Sequence, residues 1–559
     1  MVSNKELAEL IFPNIKTTIA DLEKQYPPRN LKEGAEVVRF APSPTGFLHT
    51  GSLFTSMICR KVATQTGGVF FIRLEDTDTK REIAGSGEQL LEQLHVFGID
   101  PDEGYLGKTQ KGNYGPYIQS ERASIYCAVI KELIAQGKAY PCFCSAEDLE
   151  ELRSKQEAQK LNPGYYGEFA KCRNLSNDER VEKIKNGEKY VIRFRSNGNH
   201  ENKIKVSDLV RGEFEIAQND QDIVICKSDG LPTYHFAHAV DDHFMRTTTV
   251  IRGEEWVASL PIHVELFEAL GWEAPKYAHL PVIMKVDEET GNKRKLSKRR
   301  DKEAAVSYFI EDGYLPKALI MYLMTIANSN FEEWILQNNF EHMEDFVFSF
   351  SKMNNEGALF DMGKVNFFSR ELLVKLNKNE FTDLALAYAH DYNKGLEDLI
   401  NRDPKYFANI INIDREKANP RKDYEKFSNI PEIIAFFYED GYKQCLEQIN
   451  GQLPFNPKFS TDDLIKALST IEDELAINED EQVWFNNLKE IGVSLGYAAN
   501  NKEYKANPEA FRGNVGDLAE MLRITLTTRK NAPNLCAVMS LLGIEETHRR
   551  IDYVISLLK

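Results

Sequence analysis

The sequence lacks apolar runs of membrane-spanning length, a cysteine framework, and any excess of positive charge. No apolar stretch reaches the roughly 20 residues that a bilayer helix needs, so a membrane-embedded chain is not expected. Eight cysteines among 559 residues are too few and too scattered for a secreted disulfide scaffold. Cys59, Cys127, Cys226, Cys445 and Cys536 sit among apolar neighbours and read as small core residues. Lys and Arg total 69 against 86 Asp and Glu, a formal net charge of −17. Taken alone, that balance argues against a nucleic-acid partner, although a basic face acting within a Debye length keeps one open. The opening residues, MVSNKELAELIFPNIKTTIADLEKQYPP, mix acids and bases and lack a signal-peptide centre. A cytoplasmic chain with an N-terminal helical extension is expected, and its length accommodates three or four domains.

What is present is organised around RFAPSPTGFLHTGS, residues 39–52. Val37, Val38 and Phe40 read as a buried strand, Pro42, Pro44 and Gly46 as a turn, and LFTSMICRKVA as a helix. His49, Thr50, Gly51 and Ser52 fall at the helix entrance, where unpaired backbone N–H groups receive anions. Gly51 has no Cβ to hold a ring or phosphate off the backbone. By itself an H-x-G-x at such a turn is as readily a capped helix with a surface histidine.

The whole pattern R-F-A-P-S-P-T-G-x-L-H-x-G resembles the signature of bacterial-type glutamyl-tRNA synthetases, a class I aminoacyl-tRNA synthetase family. That family's motif ends H-I-G-H or a near variant, and this chain departs from it with H-T-G-S. Further segments carry the same resemblance. GGVFFIRLEDTDTKR reads as a strand, Val69–Leu74, followed by Glu75, Asp76 and Asp78; GPYIQSERASIY includes Gln119, Ser120 and Arg122. KSDGLPTYHFAHAVDDH and VIRGEEW follow, with Tyr234-His235-Phe236-Ala237 reading as a strand. His235, His238, His243, Asp241 and Asp242 fit no helix-borne metal motif. Some relatives have asparagine where this chain has His238. The basic cluster from Lys293 to Arg300 is on composition a solvated face, but KLSKR, residues 295–299, resembles the second class I motif.

The resemblance implies an α/β fold: a Rossmann-like class I synthetase catalytic domain, an inserted acceptor-binding α+β domain, and an all-α C-terminal anticodon-binding region. The expected division is residues 1–34 as the extension, 35–117 and 238–327 as the catalytic halves, 118–237 as the insertion, and 328–559 as the helical region. The implied activity is glutamate–tRNA ligation, with L-glutamate, ATP and Mg²⁺ giving glutamyl-adenylate and the glutamyl group passing to tRNA(Glu). A wider enzyme that also charges tRNA(Gln) is the alternative. His49, Lys295 and Lys298 are the implied catalytic residues; His49, Gly51, Ser52, Lys295, Ser297 and Lys298 would hold ATP. Arg39, Ser43, Glu75, Tyr234 and Arg252 would hold glutamate, Glu75 on its α-amino group and the guanidinium groups on its side-chain carboxylate. A monomer is expected.

Cys142 and Cys144, with Cys172 downstream, could give three soft ligands to Zn²⁺, which takes four. Some relatives have a zinc site here that ends in a histidine, and this chain has Asn174 instead. Tyr165, Tyr166 and Glu168 are alternatives for the fourth ligand, and free thiols near a loop are the other reading. Residues 188–216 alternate like exposed strands. Beyond about residue 328 the pattern is helical, with Phe381, Leu384, Tyr388 and Tyr392 expected on one buried stripe.

Overall fold

The computed structural model describes residues 1–44, 46–77 and 83–559, so Asp78 lies outside the described residues. The chain forms two compact units: residues 1–308 with 320–361, and residues 309–319 with 362–559.

The first unit begins with helices α1 (Asn4–Ile11) and α2 (Ile19–Gln25), each opened by a capping box, Ser3 with Glu6 and Thr18 with Asp21. Next come β1 (Val37–Phe40), α3 (Thr50–Thr66), β2 (Val69–Ile72), α4 (Ser86–Val96), β3 (Glu103–Tyr105) and β4 (Gln110–Lys111). β1, β2 and β3 pair in parallel, and β4 closes that edge antiparallel. Val37, Val38, Phe70, Phe71 and Ile72 are buried, the apolar run of a parallel sheet covered on both faces, interrupted in β1 by the buried Arg39.

Helix α5 (Ala123–Ala135) leads to a separate antiparallel sheet of β5 (Ala139–Cys142), β6 (Val191–Phe194) and β9 (Val224–Cys226). Helices α6 (Ala146–Ala158) and α7 (Asn177–Lys185) lie between β5 and β6 in the chain, and the hairpin β7 (Lys203–Asp208) and β8 (Gly212–Ala217) between β6 and β9. β7 and β8 alternate in burial, as their sequence pattern predicts.

The chain then returns through α8 (Tyr234–Phe244), β10 (Thr249–Gly253), α9 (Leu260–Leu270) and β11 (Lys276–Leu280) to the hairpin β12 (Met284–Val286) and β13 (Lys293–Lys295). β10 pairs in parallel with β11, which meets the end of β7 at Tyr277 and Asp208. Thr248 N–H donates to Val37 O at 2.9 Å and Val37 N–H to Thr248 Oγ1 at 2.8 Å, which sets β10 beside β1. The parallel order is therefore β3, β2, β1, β10, β11. Its direction of travel reverses between β1 and β10, the place where open α/β sheets bind ligands beyond their carboxyl ends.

Tyr234–Ala237, expected as a strand, is the first turn of α8. Four residues are too few to separate the two periods. Over the full helix Phe236, Ala237, Val240 and Phe244 are buried together with Asp241 and Asp242. The junction expected between residues 237 and 238 falls inside this helix. The N-terminal extension is part of the same core: Leu7, Ala8, Leu22 and Tyr26 pack with Val129, Leu133 and Phe236. Each such leucine contributes about 2 kcal/mol on burial. Arg246 donates to Tyr26 O, and Tyr26 OH donates to Gly115 O at 2.8 Å.

The second unit is helical, with no strand among its described residues. One core gathers Phe381, Ala385, Tyr388, Phe407 and Phe427; the other gathers Leu468, Trp484, Leu488, Leu522 and Ile551. In helix Lys378–Tyr392 the buried face is Phe381, Ala385, Tyr388 and Ala389, while Leu384 and Tyr392 are exposed. Leu384 lies off the apolar stripe once Ala385 and Ala389 define its centre, and Tyr392 is the last residue of the helix. The scattered cysteines 59, 226, 445 and 536 are buried and Cys127 is half-buried, all as free thiols.

Candidate active site

A cleft of about 1110 Å³ opens at the carboxyl ends of β1, β2, β10 and β11. Arg39, Ser43, His49, Gly51, Ser52, Glu75, Tyr234, Arg252 and Lys295 all line it. Two sequence-predicted residues, Ser297 and Lys298, are not among its lining residues.

His49 is the N-cap of α3, and its Nδ1 accepts the Gly51 N–H at 2.9 Å. A Cβ on Gly51 would lie 3.3 Å from that nitrogen. The glycine therefore makes room for the imidazole of the cap, not only for a ligand. Ser52 N–H donates to His49 O at 2.8 Å, so the helix entrance offers fewer free amides than an anion site on bare N–H groups would. The remaining proton sits on Nε2. Burial, with Lys298 and Lys295 nearby, pushes the His49 pKa down to about 4, so the ring is a neutral donor.

The KLSKR segment is fastened to this entrance. His49 and Ala305 form a β-bridge, Val306 N–H donates to Leu48 O at 3.2 Å, and Thr50 Oγ1 donates to Glu303 O at 2.7 Å. Lys298 Nζ donates to the Phe47 carbonyl. Lys295 Nζ is exposed, 3.5 Å from Glu255 Oε1. Asp301 grips the segment: Arg294 meets it through two bonds of 2.6 and 2.8 Å, and Ser297 N–H donates to it at 2.9 Å. The Arg294 bonds hold the Asp301 carboxyl well below the usual range.

Below the cleft, the sequence reading missed an ion-pair network built on α8. Asp242 takes Arg39 Nε at 3.0 Å and Arg73 Nη1 at 2.8 Å, while Arg73 Nη2 reaches Glu75 Oε1 at 3.0 Å. Asp241 takes Arg122 Nε at 2.6 Å, Gln119 Nε2 at 2.9 Å and Tyr126 OH at 2.8 Å. Burial pushes Asp242 up, and Arg39 and then Arg73 overcome it and hold the group well below the carboxylate range. Burial leaves Glu75 raised despite Arg73 and Arg39. Arg73 is fully buried and directly follows the apolar strand β2, and its partner Asp242 comes from α8.

The two guanidinium groups of the cleft differ. Arg39 is paired with Asp242. Arg252 makes no ion pair with a carboxylate among the described residues; its Nε donates to His279 Nε2 at 3.0 Å and its Nη2 to His263 Nδ1 at 3.2 Å. Arg252 Nη1 is buried with no hydrogen-bond partner among the described residues. Tyr234 packs on Trp256 with ring centroids 4.2 Å apart. His238 does not reach the cleft: it is fully buried, between Asp242 at 2.7 Å and Tyr277 OH at 3.2 Å.

Away from the cleft, Cys142, Cys144 and Cys172 place their sulfurs within 4.8 Å of one another, the sole such group of potential metal ligands among the described residues. Tyr165 OH is 3.3 Å from both Cys142 Sγ and Cys144 Sγ and accepts the Cys172 N–H at 3.0 Å. Tyr166 turns away to Asn162 O, and Glu168 and Asn174 are exposed. The hydrogen bond from Cys144, with that from Cys172, holds the Cys142 thiol well below its usual range. The three sulfurs supply three of the four ligands that Zn²⁺ takes, with the Tyr165 hydroxyl beside two of them.

A family model described as tRNA synthetases class I (E and Q), catalytic domain, matches residues 36–366, and one described as anticodon binding domain matches residues 381–555. The glutamate–tRNA ligase of Clostridium perfringens (strain 13 / Type A) is 47% identical over 98% of this chain and 100% of its own length. The chain belongs to the glutamate–tRNA ligase family. That of Acetivibrio thermocellus is 43% identical over 98% of this chain and 99% of its own. Among solved structures, the glutamate–tRNA synthetase of Elizabethkingia anophelis superposes with a TM-score of 0.73 at 29% identity, over 93% of this chain and 99% of that one. The class I synthetase architecture implied by the opening motif is thus the architecture of this family member.

Proposed function

We propose that this member of the family activates L-glutamate with MgATP to glutamyl-adenylate and transfers the glutamyl group to tRNA(Glu). The observation that carries the reading is the meeting of three features at one switch-point cleft: the His49 helix entrance, the KLSKR segment bound to it, and a guanidinium, Arg252, that no carboxylate among the described residues pairs with. The chemistry needs no protein nucleophile. It needs alignment of the glutamate α-carboxylate with the α-phosphate, and positive charge where pyrophosphate leaves.

Neutral His49 presents Nε2–H to a phosphate oxygen, with Gly51 and Ser52 beside it. Lys295 faces the cleft. Ser297 shapes the segment, and Lys298 needs only to leave the Phe47 carbonyl to reach the triphosphate. Arg252 takes the side-chain carboxylate of glutamate, with Tyr234 and Ser43 along the cleft wall. Arg39, already shared with Asp242, contributes less net charge, and Glu75 takes the α-amino group.

The Cys142, Cys144, Cys172 and Tyr165 set holds a structural Zn²⁺ in the segment after β5, and would fix the loop around Cys172 to that strand. The segment from α5 to β9, which ends before α8, is the acceptor-facing insertion, and the helical second unit carries the anticodon contacts. The chain works as a cytoplasmic monomer. The glutamate–tRNA ligases it resembles support tRNA(Glu) and do not favour the wider tRNA(Gln) range over it. Aminoacylation of separate glutamate and glutamine tRNAs with labelled glutamate tests the reading. Charging of neither would overturn it, and equal charging of both would restore the wider range.

A further inference from the structure

Five side chains from five segments form one hydrogen-bonded line beside the cleft: Asp208, His279, Arg252, His263 and His235. Asp208 Oδ2 lies 2.7 Å from His279 Nδ1. His279 Nε2 accepts Arg252 Nε at 3.0 Å, His263 Nδ1 accepts Arg252 Nη2 at 3.2 Å, and His263 Nε2 lies 3.0 Å from His235 Nδ1. Asp208 ends β7, His279 is on β11, Arg252 on β10, His263 on α9 and His235 on α8. The two central histidines have no exposed surface.

The proton positions follow from the guanidinium, which can only donate. Both nitrogens that face Arg252 must be lone-pair acceptors. His279 therefore carries its proton on Nδ1, toward Asp208, and His263 carries its proton on Nε2, toward His235. Both rings are neutral. Asp208 is itself fixed, because its Oδ1 accepts the Val210 and Arg211 N–H groups at 2.9 Å each.

A carboxylate in place of either ring would also orient Arg252, but it would neutralise the charge and compete with an incoming carboxylate. An imidazole acceptor orients the guanidinium and leaves its charge intact. Two of its three nitrogens are then spent on the protein, and Nη1, buried with no hydrogen-bond partner among the described residues, is left.

We propose that His263 and His279 are positioning residues that aim Arg252 at the side-chain carboxylate of the substrate, with Asp208 setting the His279 tautomer. Selectivity for an acidic amino acid then depends on three residues that do not touch it. The inference rests on the reading of Arg252 as the glutamate anchor.

The test is steady-state aminoacylation by the full chain with saturating tRNA, reading glutamate KM, ATP KM and kcat. His263→Leu and His279→Leu remove the acceptors. They should raise glutamate KM about 10–100-fold, the scale of misplacing one binding group, and leave ATP KM within about twofold. His263→Asn and His279→Gln place a carbonyl oxygen near the lost Nδ1 and Nε2 positions, and should return glutamate KM to within about threefold of wild type. Asp208→Asn retains every ring. Its oxygen stays on the Val210 and Arg211 amides, its NH₂ meets His279 Nδ1, and the displaced proton on Nε2 then opposes Arg252. This variant should raise glutamate KM as the leucine variants do, and it carries the test if those do not fold. Unchanged glutamate KM, equal rises in both KM values, or Asn and Gln variants no better than Leu would overturn the proposal. Arg252→Ala separates the two readings: if it leaves glutamate KM unchanged, the anchor itself is wrong; if it raises KM while the histidine variants do not, only the positioning role fails.

Discussion

His49 Nδ1 accepts the Gly51 amide at 2.9 Å, and this one bond leaves Nε2 to carry the proton of the neutral ring. A histidine that caps its own helix keeps Nε2–H for a ligand and stays neutral. His49→Asn should retain the cap, since Asn is a strong N-cap residue, and lose the donor. We expect kcat for glutamate-dependent ATP–pyrophosphate exchange to fall about 100-fold with little change in melting temperature. A variant that melts much earlier and retains normal kcat would make His49 a cap alone.

The pH dependence follows with its sign. His49 is pushed down to about 4 and His238 to about 3, both mainly by burial, while unfolded histidine titrates near 6.5. Between these values the unfolded chain binds more protons than the folded one, so stability falls as pH drops from about 6.5 toward 4. Denaturant unfolding at stepped pH should show that loss, and His49→Asn should lessen its slope. An unchanged slope would show that His49 does not contribute.

Arg252 has no carboxylate partner among the described residues, whereas Arg39 has Asp242. Arg252→Ala should therefore cost roughly 2–4 kcal/mol in glutamate kcat/KM. Arg252→Lys should recover little, because an ammonium cannot reproduce the fork held by two histidines. A variant within twofold of wild type would remove Arg252 from glutamate binding.

Lys298 rests on the Phe47 carbonyl, close to His49 and outside the cleft lining. We expect Lys298→Ala to lower kcat about 10²–10³-fold with a much smaller change in ATP KM, the pattern of a group that meets developing charge. Raised ATP KM with normal kcat would make it a ground-state ligand.

The purified protein should carry about one Zn²⁺. Cys142→Ser with Cys144→Ser should abolish it, and Tyr165→Phe should speed its loss to a chelator. Metal-free wild type with full activity would exclude the site.

Much of the fold and the motifs could be read locally. The strand, turn and helix around residues 37–66 announce themselves through an apolar run, two prolines and a change of period. KLSKR stands out as a basic cluster in an acidic chain. Where local reading failed, the deciding partner was remote. Tyr234–Ala237 looked like a strand until the full length of α8 was seen to pack on the core. Nothing local singles out Arg73, because its partner Asp242 is 169 residues away.

The residue types that the chemistry requires, and the two motifs that carry them, were determined by the sequence alone, since a turn or a helix entrance depends on neighbours in the chain. Only the tertiary structure decided which guanidinium is neutralised, which nitrogen of His49 accepts the Gly51 amide, and that Tyr165 rather than Tyr166 lies against the thiols. Charge pairing, tautomer and ligand closure depend on what lies within about 4 Å in space, and for these groups that neighbour comes from another element.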